Sequence, residues 1–221
     1  MLFRSSLIHD DLPAIDNDDY RRGRLTTHKV YGEAMGVLSG VSLLNYAYET
    51  MLKTFEMTSD ADRVIRALKI MSEKTGIHGM LGGQSVDVEN DGKEISREML
   101  DYIYEHKTSA LIEASMMAGA VLGGADEEQT ALIEKAASAI GMAFQIQDDI
   151  LDVTSTSQEL GKPVHSDEKN HKVTYVTLFG VEKASEQVLQ FSEQAQSILE
   201  NLSNKNKFLT ALIMEMASRR K

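Results

Sequence analysis

The chain has 221 residues and carries 23 Lys and Arg against 34 Asp and Glu, so its formal net charge is −11 with histidine neutral. This acidity argues against nucleic-acid binding, and the absence of cysteine excludes disulfides, thiolate metal sites and a cysteine nucleophile. No apolar run approaches the roughly 20 residues of a membrane span, and the N-terminus MLFRSSLIHDD lacks the apolar core of a secretory signal. We therefore predict a globular protein of the cytoplasm, without a membrane span.

Apolar residues recur at helical spacing along almost the whole chain, and alternating strand-like runs are nearly missing. Ser59, followed three residues later by Asp62, predicts the N-terminal cap of a helix over about 60–75, which Gly76 can end. Ser96 is predicted to cap the next segment in the same way. The predicted fold class is therefore all-α.

Three stretches interrupt this helical pattern and are predicted to be loops between helices. They are Gly82-Gly83, the polar residues 87–93, and residues 155–170, which contain Pro163. Domain linkers, low-complexity tracts and repeats are not recognisable in the sequence. Residues 1–221 are therefore predicted to form a single domain of several long helices.

The first group of acidic residues in apolar surroundings comprises Asp10, Asp11 and Asp16. Pro13 disturbs the helix at this point, so Asp16 is expected to turn back from a loop. Two like charges about 4 Å apart repel by roughly 4 kcal/mol at an effective dielectric constant near 20, so converging carboxylates require cations. A bound divalent metal would remove that cost.

The second group comprises Asp148, Asp149 and Asp152. A helix turns about 100° per residue, so Asp148 and Asp152 share a face about 40° apart, with Asp149 flanking them. The residues after Asp152 predict that the helix ends soon afterwards. Anions near the negative end of the helix dipole are unfavourable, which favours a metal or ligand role.

A solvated acidic surface is the ordinary explanation of one Asp pair, but two pairs flanked by apolar residues argue against it. The spacing after Asp16-Asn17-Asp18 argues against an EF-hand, because the Gly and Glu that such loops require do not follow. A ligand set made only of oxygens indicates Mg²⁺. Because Mg²⁺ favours substrate phosphates, a metal-bridged diphosphate is the expected ligand.

Cations to complete such a site follow the first cluster directly at Arg21, Arg22 and Arg24. Others stand further along, among them Lys107, Lys162 and Lys172. Any one of these could be an ordinary surface cation, but arginine forks and lysine ammonium groups both suit phosphate oxygens. The pattern predicts that metal ions and cationic side chains anchor one polyanion together.

These segments also stand in a recognisable order. DDLPAID at 10–16 with DDYRRG at 18–23 forms one aspartate-rich motif, and FQIQDDILD at 144–152 forms another. Shorter motifs accompany them: HKVYGE at 28–33, Gly82-Gly83-Gln84 with Asp87, His106-Lys107-Thr108, and Leu160-Gly161-Lys162. Over essentially its whole length the chain resembles the trans-isoprenyl diphosphate synthases, the polyprenyl synthetase family, in the bacterial farnesyl diphosphate synthase form.

This resemblance implies an isoprenoid synthase fold, a helical bundle around a central cavity, in a homodimer with Mg²⁺ as cofactor. The implied reaction joins dimethylallyl or geranyl diphosphate to isopentenyl diphosphate, giving farnesyl diphosphate by ionisation, condensation and proton loss. The diphosphate leaves an allylic cation, which the alkene of isopentenyl diphosphate attacks, so no protein nucleophile is required.

The resemblance also implies site residues, position by position. The metal ligands are Asp10, Asp11, Asp16, Asp148, Asp149 and Asp152. The allylic diphosphate is bound by Arg21, Lys107, Thr108, Gln145 and Lys162, of which the last four are also catalytic. Isopentenyl diphosphate is bound by Arg22, Arg219 and Arg220, and the cavity is lined by Ser5, Ser6 and Phe144.

The chain departs from the family pattern at its start, which lies nine residues before Asp10. Family members carry several upstream helices with a Gly-Lys-Arg motif that binds isopentenyl diphosphate. The chain is therefore expected to be an N-terminally shortened enzyme that condenses poorly unless that segment is restored. Val41 and His165 also differ from the residues that the family usually has there.

Three alternatives remain open. Ser5 stands where farnesyl-type enzymes often have a bulky aromatic residue, so a geranylgeranyl product is one alternative. A low-activity or non-catalytic subunit that still binds Mg²⁺-diphosphate is another. A terpene cyclase shares the cation chemistry, but two complete aspartate motifs with Lys107-Thr108 and Gly161-Lys162 argue against it.

Overall fold

A computed structural model of the chain describes residues 1–156, 172–202 and 206–217. The described residues fall into two compact units. Unit 1 comprises residues 1–61 with residues 155 and 156, and unit 2 comprises the other described residues from Asp62 onward. Within the described ranges, none of the helices combines the length and apolar character needed to traverse a bilayer.

Unit 1 is built on two helices that touch through glycines. Its elements are α1 (Leu2–Asp10), β1 (Tyr20–Arg21), β2 (Arg24–Leu25), α2 (Thr27–Tyr31), α3 (Glu33–Leu52) and a 3₁₀ turn (Lys53–Glu56). A Cβ at Gly40 of α3 would lie 2.1 Å from Nε2 of His9 on α1, and one at Gly36 would lie 2.8 Å from Cδ2 of Leu12. Because glycine has no Cβ, the two segments can approach this closely.

Between α1 and α2 the chain forms a short antiparallel hairpin, in which Tyr20 pairs with Leu25 and Arg21 with Arg24. The two turn residues are Arg22, at φ +54°, and Gly23, at φ +73°. Positive φ at both central positions is what a type I′ hairpin turn requires. This hairpin was not predicted, because strands of two residues are too short to show an alternating pattern.

Unit 2 surrounds one long central helix. Its elements are α4 (Ala61–Thr75, which begins at the unit boundary), α5 (Met80–Glu89), α6 (Arg97–Ile103), a π-turn (Tyr104–Ser109), α7 (Ala110–Leu122), α8 (Glu127–Thr154), α9 (Tyr175–Phe179), α10 (Val181–Glu200) and α11 (Lys207–Ala217). The helix α8 packs against α7 and α10. Buried aliphatic and tyrosine side chains from α6, the π-turn, α8, α9 and α10 form the largest core cluster of the described residues.

The structure confirms most of the predicted helix limits. The helix α4 begins at Ala61, close to the predicted start, and Gly76 follows its last residue. The Ser96 hydroxyl accepts a hydrogen bond from the backbone N–H of Met99 at 3.3 Å, as a helix cap does. The helix α8 ends at Thr154, where the sequence predicted its end.

The prediction that Gly82-Gly83 forms a loop is wrong, since both residues lie inside α5, which continues to Glu89. These glycines serve packing: a Cβ at Gly83 would lie 2.3 Å from the backbone nitrogen of Lys107. The predicted loop at 87–93 therefore begins only after Glu89. Most of the predicted loop at 155–170, with Pro163, lies outside the described residues.

Candidate functional site

The first aspartate motif leaves its helix in a tight reversal. The helix α1 ends at Asp10, and the backbone N–H of Asp16 donates to the carbonyl oxygen of Asp10 at 2.9 Å. This bond brings the backbone at the two ends of the motif together, as the sequence predicted from Pro13. The reversal lies wholly within unit 1.

Arg21 of the hairpin reaches back to this motif. Its Nε lies 2.5 Å from Oδ1 of Asp11, and its Nη2 lies 3.3 Å from Oδ2 of Asp18. Burial raises the pKa of the Asp11 carboxyl above its ordinary value, and the Arg21 guanidinium opposes that rise. Burial alone would lower the pKa of Arg21, but Asp11, Asp18 and Asp10 raise it overall. Arg21 is therefore a cation held in place by aspartates.

The other cations and small residues predicted for unit 1 occupy different environments. Arg22 and Arg24 are exposed at the hairpin turn. Ser5 is buried, and its hydroxyl donates to the carbonyl oxygen of Gly40 at 2.9 Å, so this side chain packs against α3. The Ser6 hydroxyl donates to the carbonyl oxygen of Phe3 at 3.1 Å. A cavity-lining role for the two serines stays a prediction.

In unit 2, the π-turn carries the predicted Lys107-Thr108 pair. Nζ of Lys107 lies 2.6 Å from Oδ2 of Asp87 on α5, and Oγ1 of Thr108 donates to Oε1 of Gln145 on α8 at 2.9 Å. The structure thus brings together three of the predicted diphosphate-binding residues with one carboxylate. A π-turn inserted between two α-helices often marks a functional site.

One further amide lies beside this group. Nε2 of Gln84 is buried and has no hydrogen-bond partner among the residues that the structure describes. Gln84 precedes Asp87 by three residues, so the two residues share a face of α5. An unpaired buried donor costs roughly 1–3 kcal/mol. An anionic or oxygen-rich ligand would satisfy this donor, so the observation fits a diphosphate site.

The second aspartate motif presents its three carboxylates in different environments on α8. Asp149 and Asp152 are both buried, whereas Asp148 is half-buried. Oδ2 of Asp149 accepts a hydrogen bond from the Tyr104 hydroxyl at 2.6 Å and another from the backbone N–H of Tyr175 at 3.0 Å. These two tyrosines were not predicted as site residues, because no local pattern links them to a residue 45 or 26 positions away.

Of the other predicted site residues, Lys162, Arg219 and Arg220 lie outside the described residues. Phe144 is half-buried on α8. Among residues 1–156, 172–202 and 206–217, no three acidic or histidine side chains converge as a preformed metal site. The assignment of the aspartates to metal binding therefore stays a prediction.

Comparisons with known proteins identify the family of this all-α chain. A sequence model described as polyprenyl synthetase matches residues 1–215. The chain belongs to the polyprenyl synthetase family, and the predicted family is confirmed.

Two relatives show which members of the family this chain resembles. Farnesyl diphosphate synthase of Geobacillus stearothermophilus is 42% identical over 201 residues, which cover 91% of this chain and 68% of that protein. The heterodimeric geranylgeranyl pyrophosphate synthase large subunit 2 of Arabidopsis thaliana is 41% identical over 225 residues, which cover 100% of this chain and 59% of that protein. The chain thus spans between 59% and 68% of the length of these two relatives.

A solved structure confirms the predicted fold. The geranyltransferase of Helicobacter pylori, crystallised with magnesium and isoprenyl diphosphate, is 33% identical with a TM-score of 0.86, and the match covers 98% of this chain and 70% of that one. The predicted all-α isoprenoid synthase fold is therefore correct. The names of these relatives also agree with the predicted enzyme class, the trans-prenyltransferases.

Proposed function

We propose that this chain acts as a trans-prenyltransferase, joining an allylic diphosphate, dimethylallyl or geranyl, to isopentenyl diphosphate. The observation that supports it best is the π-turn, which gathers Lys107, Thr108 and Gln145 beside the aspartate motif of α8. A lysine ammonium, a hydroxyl and an amide are groups that bind diphosphate oxygens. The family relationship and the magnesium and isoprenyl diphosphate in the Helicobacter pylori structure agree with this proposal.

The proposed ligands for Mg²⁺ are Asp10 and Asp16 in unit 1 and Asp148 and Asp152 in unit 2. Carboxylate oxygens are the ligands that Mg²⁺ prefers, and the backbone reversal at Asp16 fits a motif that closes on an ion. The ion, when bound, supplies positive charge to a departing diphosphate. Asp11 and Asp149 were predicted as ligands too; Arg21 contacts the carboxylate of Asp11, and Tyr104 and Tyr175 contact that of Asp149.

The protein's own cations would act on the leaving group. In the proposed reaction the bond between C1 and oxygen of the allylic diphosphate breaks, and both electrons leave with the diphosphate. Lys107 would exchange Asp87 for a diphosphate oxygen and stabilise the developing negative charge. Arg21, whose guanidinium is held by Asp11 and Asp18, keeps its proposed role as a cation that binds allylic diphosphate. The alkene of isopentenyl diphosphate then attacks C1, and the released diphosphate takes the proton that is lost.

For the product we propose farnesyl diphosphate, which the similarity to the Geobacillus stearothermophilus enzyme supports. A geranylgeranyl product is the alternative, supported by the small side chain of Ser5 and by the Arabidopsis thaliana relative. Isopentenyl diphosphate would be held by Arg22, Arg219 and Arg220. A homodimer, a cytoplasmic location and cavity-lining roles for Ser5, for Ser6 and for Phe144 belong to the same proposal.

A second candidate function is that of a subunit in a mixed dimer. The Arabidopsis thaliana relative is named as the large subunit of a heterodimeric enzyme, which favours this alternative. Such a subunit would bind Mg²⁺ and diphosphate, whether or not it condenses the two substrates alone.

The test uses the purified chain, Mg²⁺, labelled isopentenyl diphosphate, and dimethylallyl or geranyl diphosphate, followed by chromatography of the dephosphorylated products. We expect farnesol, formed only with Mg²⁺, and geranylgeraniol would support the alternative product. Binding of Mg²⁺ and pyrophosphate without condensation would favour the subunit function. If the chain neither binds Mg²⁺-pyrophosphate nor consumes allylic diphosphate, the proposal is wrong.

A further inference from the structure

Asp149 makes contacts unlike those expected of a metal ligand. Its side chain is 3% exposed, and one of its oxygens, Oδ2, accepts two hydrogen bonds, from the Tyr104 hydroxyl and from the Tyr175 backbone N–H. Its other oxygen, Oδ1, lies 3.5 Å from Nε2 of Gln145. Each of these three contacts joins the carboxylate to another group of the protein.

The position of Asp149 on the helix explains this difference. A helix turns about 100° per residue, so Asp149 projects from another side of α8 than its neighbour Asp148. On the side of Asp149, Ile146 and Ile150 belong to the core cluster that also contains Tyr104 and Tyr175. Asp149 is therefore a carboxylate at the edge of a hydrophobic core, and its hydrogen bonds compensate for its burial.

The partners of Asp149 connect it to the diphosphate-binding groups of the π-turn. Tyr104 is the first residue of that turn, and Gln145 accepts the hydrogen bond from Thr108. The Asp149 carboxylate therefore contacts Tyr104, at the beginning of the turn, directly. It is linked to Thr108 indirectly, through Gln145. Lys107 lies between these two anchored positions.

The same carboxylate also holds the start of α9. The N–H of Tyr175 belongs to the first turn of that helix, whose N–H groups have no partner within the helix. The Tyr175 hydroxyl in turn donates to Asp101 on α6, in the turn that precedes Tyr104. Asp149 on α8 is thus linked to the start of the π-turn in two ways. One is the direct bond from the Tyr104 hydroxyl, and the other runs through Tyr175 to Asp101 on α6.

We propose that Asp149 is a positioning residue that fixes the π-turn and α9, and that it does not bind the metal. This inference rests on the proposed function, because it assumes that Lys107 and Thr108 bind diphosphate. The proposed assignment of Asp148 and Asp152 to the metal is unchanged. The sequence alone predicts the same role for the neighbouring aspartates, and this proposal gives Asp149 a different one.

The first experiment separates metal affinity from diphosphate affinity, with Mn²⁺ as a spectroscopic probe and inorganic pyrophosphate as the anion. Mn²⁺ binding at saturating pyrophosphate is followed by electron paramagnetic resonance, and pyrophosphate binding at saturating Mn²⁺ by calorimetry. We expect Asp149→Asn to change Mn²⁺ affinity by less than about twofold, and Asp148→Asn to weaken it by about tenfold or more. Loss of Mn²⁺ affinity in Asp149→Asn equal to that in Asp148→Asn would overturn the proposal.

Tyr104→Phe removes the hydroxyl that donates to Asp149 and changes little else, so it tests the same link from the other partner. We expect it to weaken pyrophosphate binding by about three- to tenfold and to leave Mn²⁺ affinity unchanged. Tyr102→Phe is the matched control, because Tyr102 is exposed on α6 two residues away. Equal pyrophosphate affinities in the two variants would contradict the proposed link.

The second experiment does not depend on metal or diphosphate. Hydrogen–deuterium exchange of peptides covering 104–109 and 175–179 should be faster in Asp149→Ala than in the wild type, and Asp148→Ala should leave it unchanged. Asp149→Asn keeps an acceptor oxygen, so exchange of these peptides should be faster in Asp149→Asn than in the wild type and slower than in Asp149→Ala. If the wild type fails to bind Mn²⁺-pyrophosphate, the proposed function is wrong, and the exchange of these peptides alone decides whether Asp149 anchors the turn. Unchanged exchange in Asp149→Ala would refute the anchoring.

Discussion

Gly83 of α5 lies directly against the backbone of Lys107: a Cβ at Gly83 would stand 2.3 Å from the Lys107 nitrogen and 2.6 Å from Cβ of His106. On α8, Gly141 has the same relation to the end of the π-turn, where a Cβ would lie 2.5 Å from the backbone Cα of Ser109. The π-turn is therefore bordered by two glycines on neighbouring helices. Backbone atoms cannot move aside as the end of a flexible side chain can, so these two positions admit only glycine.

Gly83→Ala should therefore displace the π-turn and lower stability, although alanine favours helix formation. Overpacking typically costs about 1–3 kcal/mol, and we expect a loss in that range in denaturant unfolding, together with weaker binding of Mg²⁺-pyrophosphate. Gly119→Ala is the matched control, because Gly119 is exposed within α7 and a Cβ added there would meet no atom within 4 Å. That control should gain up to about 1 kcal/mol. A Gly83→Ala protein as stable as the control would show that the turn can shift freely.

Lys107→Gln should weaken diphosphate binding while leaving the fold intact. Lys107 contacts Asp87 at 2.6 Å in the described structure, and hydrogen bonds involving a charged group contribute roughly 1.5–3 kcal/mol. We expect affinity for Mg²⁺-pyrophosphate, measured by calorimetry, to fall by about 10- to 100-fold. Lys135→Gln, at an exposed position on α8, removes the same charge elsewhere. If both variants lose affinity equally, general electrostatic attraction is responsible and Lys107 has no specific role.

Local features of the site were predictable from the sequence, because they depend on residues a few positions apart. The Ser96 cap and the end of α8 after Asp152 are of this kind. The ion pairs of Arg21 with Asp11 and Asp18 were not predictable, because they depend on a hairpin of two-residue strands. The bond between Tyr104 and Asp149 joins residues 45 positions apart, and no helical or strand period relates such positions.

The glycines of α5 also show what local sequence cannot predict. In the sequence, Gly82-Gly83 indicates a break, because glycine weakens a helix by roughly 1 kcal/mol relative to alanine. In the structure these residues lie within α5, and the contact of Gly83 with the π-turn explains their presence. A local propensity argument cannot distinguish a glycine that ends a helix from one that admits a neighbouring backbone.

Lys74→Met should destabilise unit 2 markedly. Nζ of Lys74 on α4 lies 2.5 Å from Oε2 of Glu113 on α7 and 2.5 Å from Oε1 of Glu134 on α8, and Glu113 is buried. Removing one partner of a buried ion pair leaves an uncompensated charge and costs about 3–5 kcal/mol, measured by denaturant unfolding.

Two variants control this prediction. Lys69→Met on the same helix breaks only an exposed contact of 3.9 Å with Glu73, so it should cost no more than about 1 kcal/mol. Adding Glu113→Gln to Lys74→Met removes the uncompensated charge and should recover part of the lost stability. If the double variant is less stable than Lys74→Met alone, then a buried charge at Glu113 is not the cause.

The stability contributed by Glu113 should depend on pH in a defined direction. Burial raises the pKa of its carboxyl above the ordinary value of 4.5, and Lys74 only partly offsets that rise. The folded protein therefore takes up this proton at a higher pH than the unfolded chain does. By linkage, the stability that Glu113 contributes is fully present below the unfolded pKa and is lost as the pH rises through the raised folded pKa.

The difference in unfolding free energy between the wild type and Glu113→Gln should thus shift against the wild type as the pH rises from about 4.5 to 7. The same comparison with Glu73→Gln, at an exposed position on α4, accounts for the general effect of removing a carboxylate. A shift in favour of the wild type over that range would mean that Lys74 outweighs burial at Glu113.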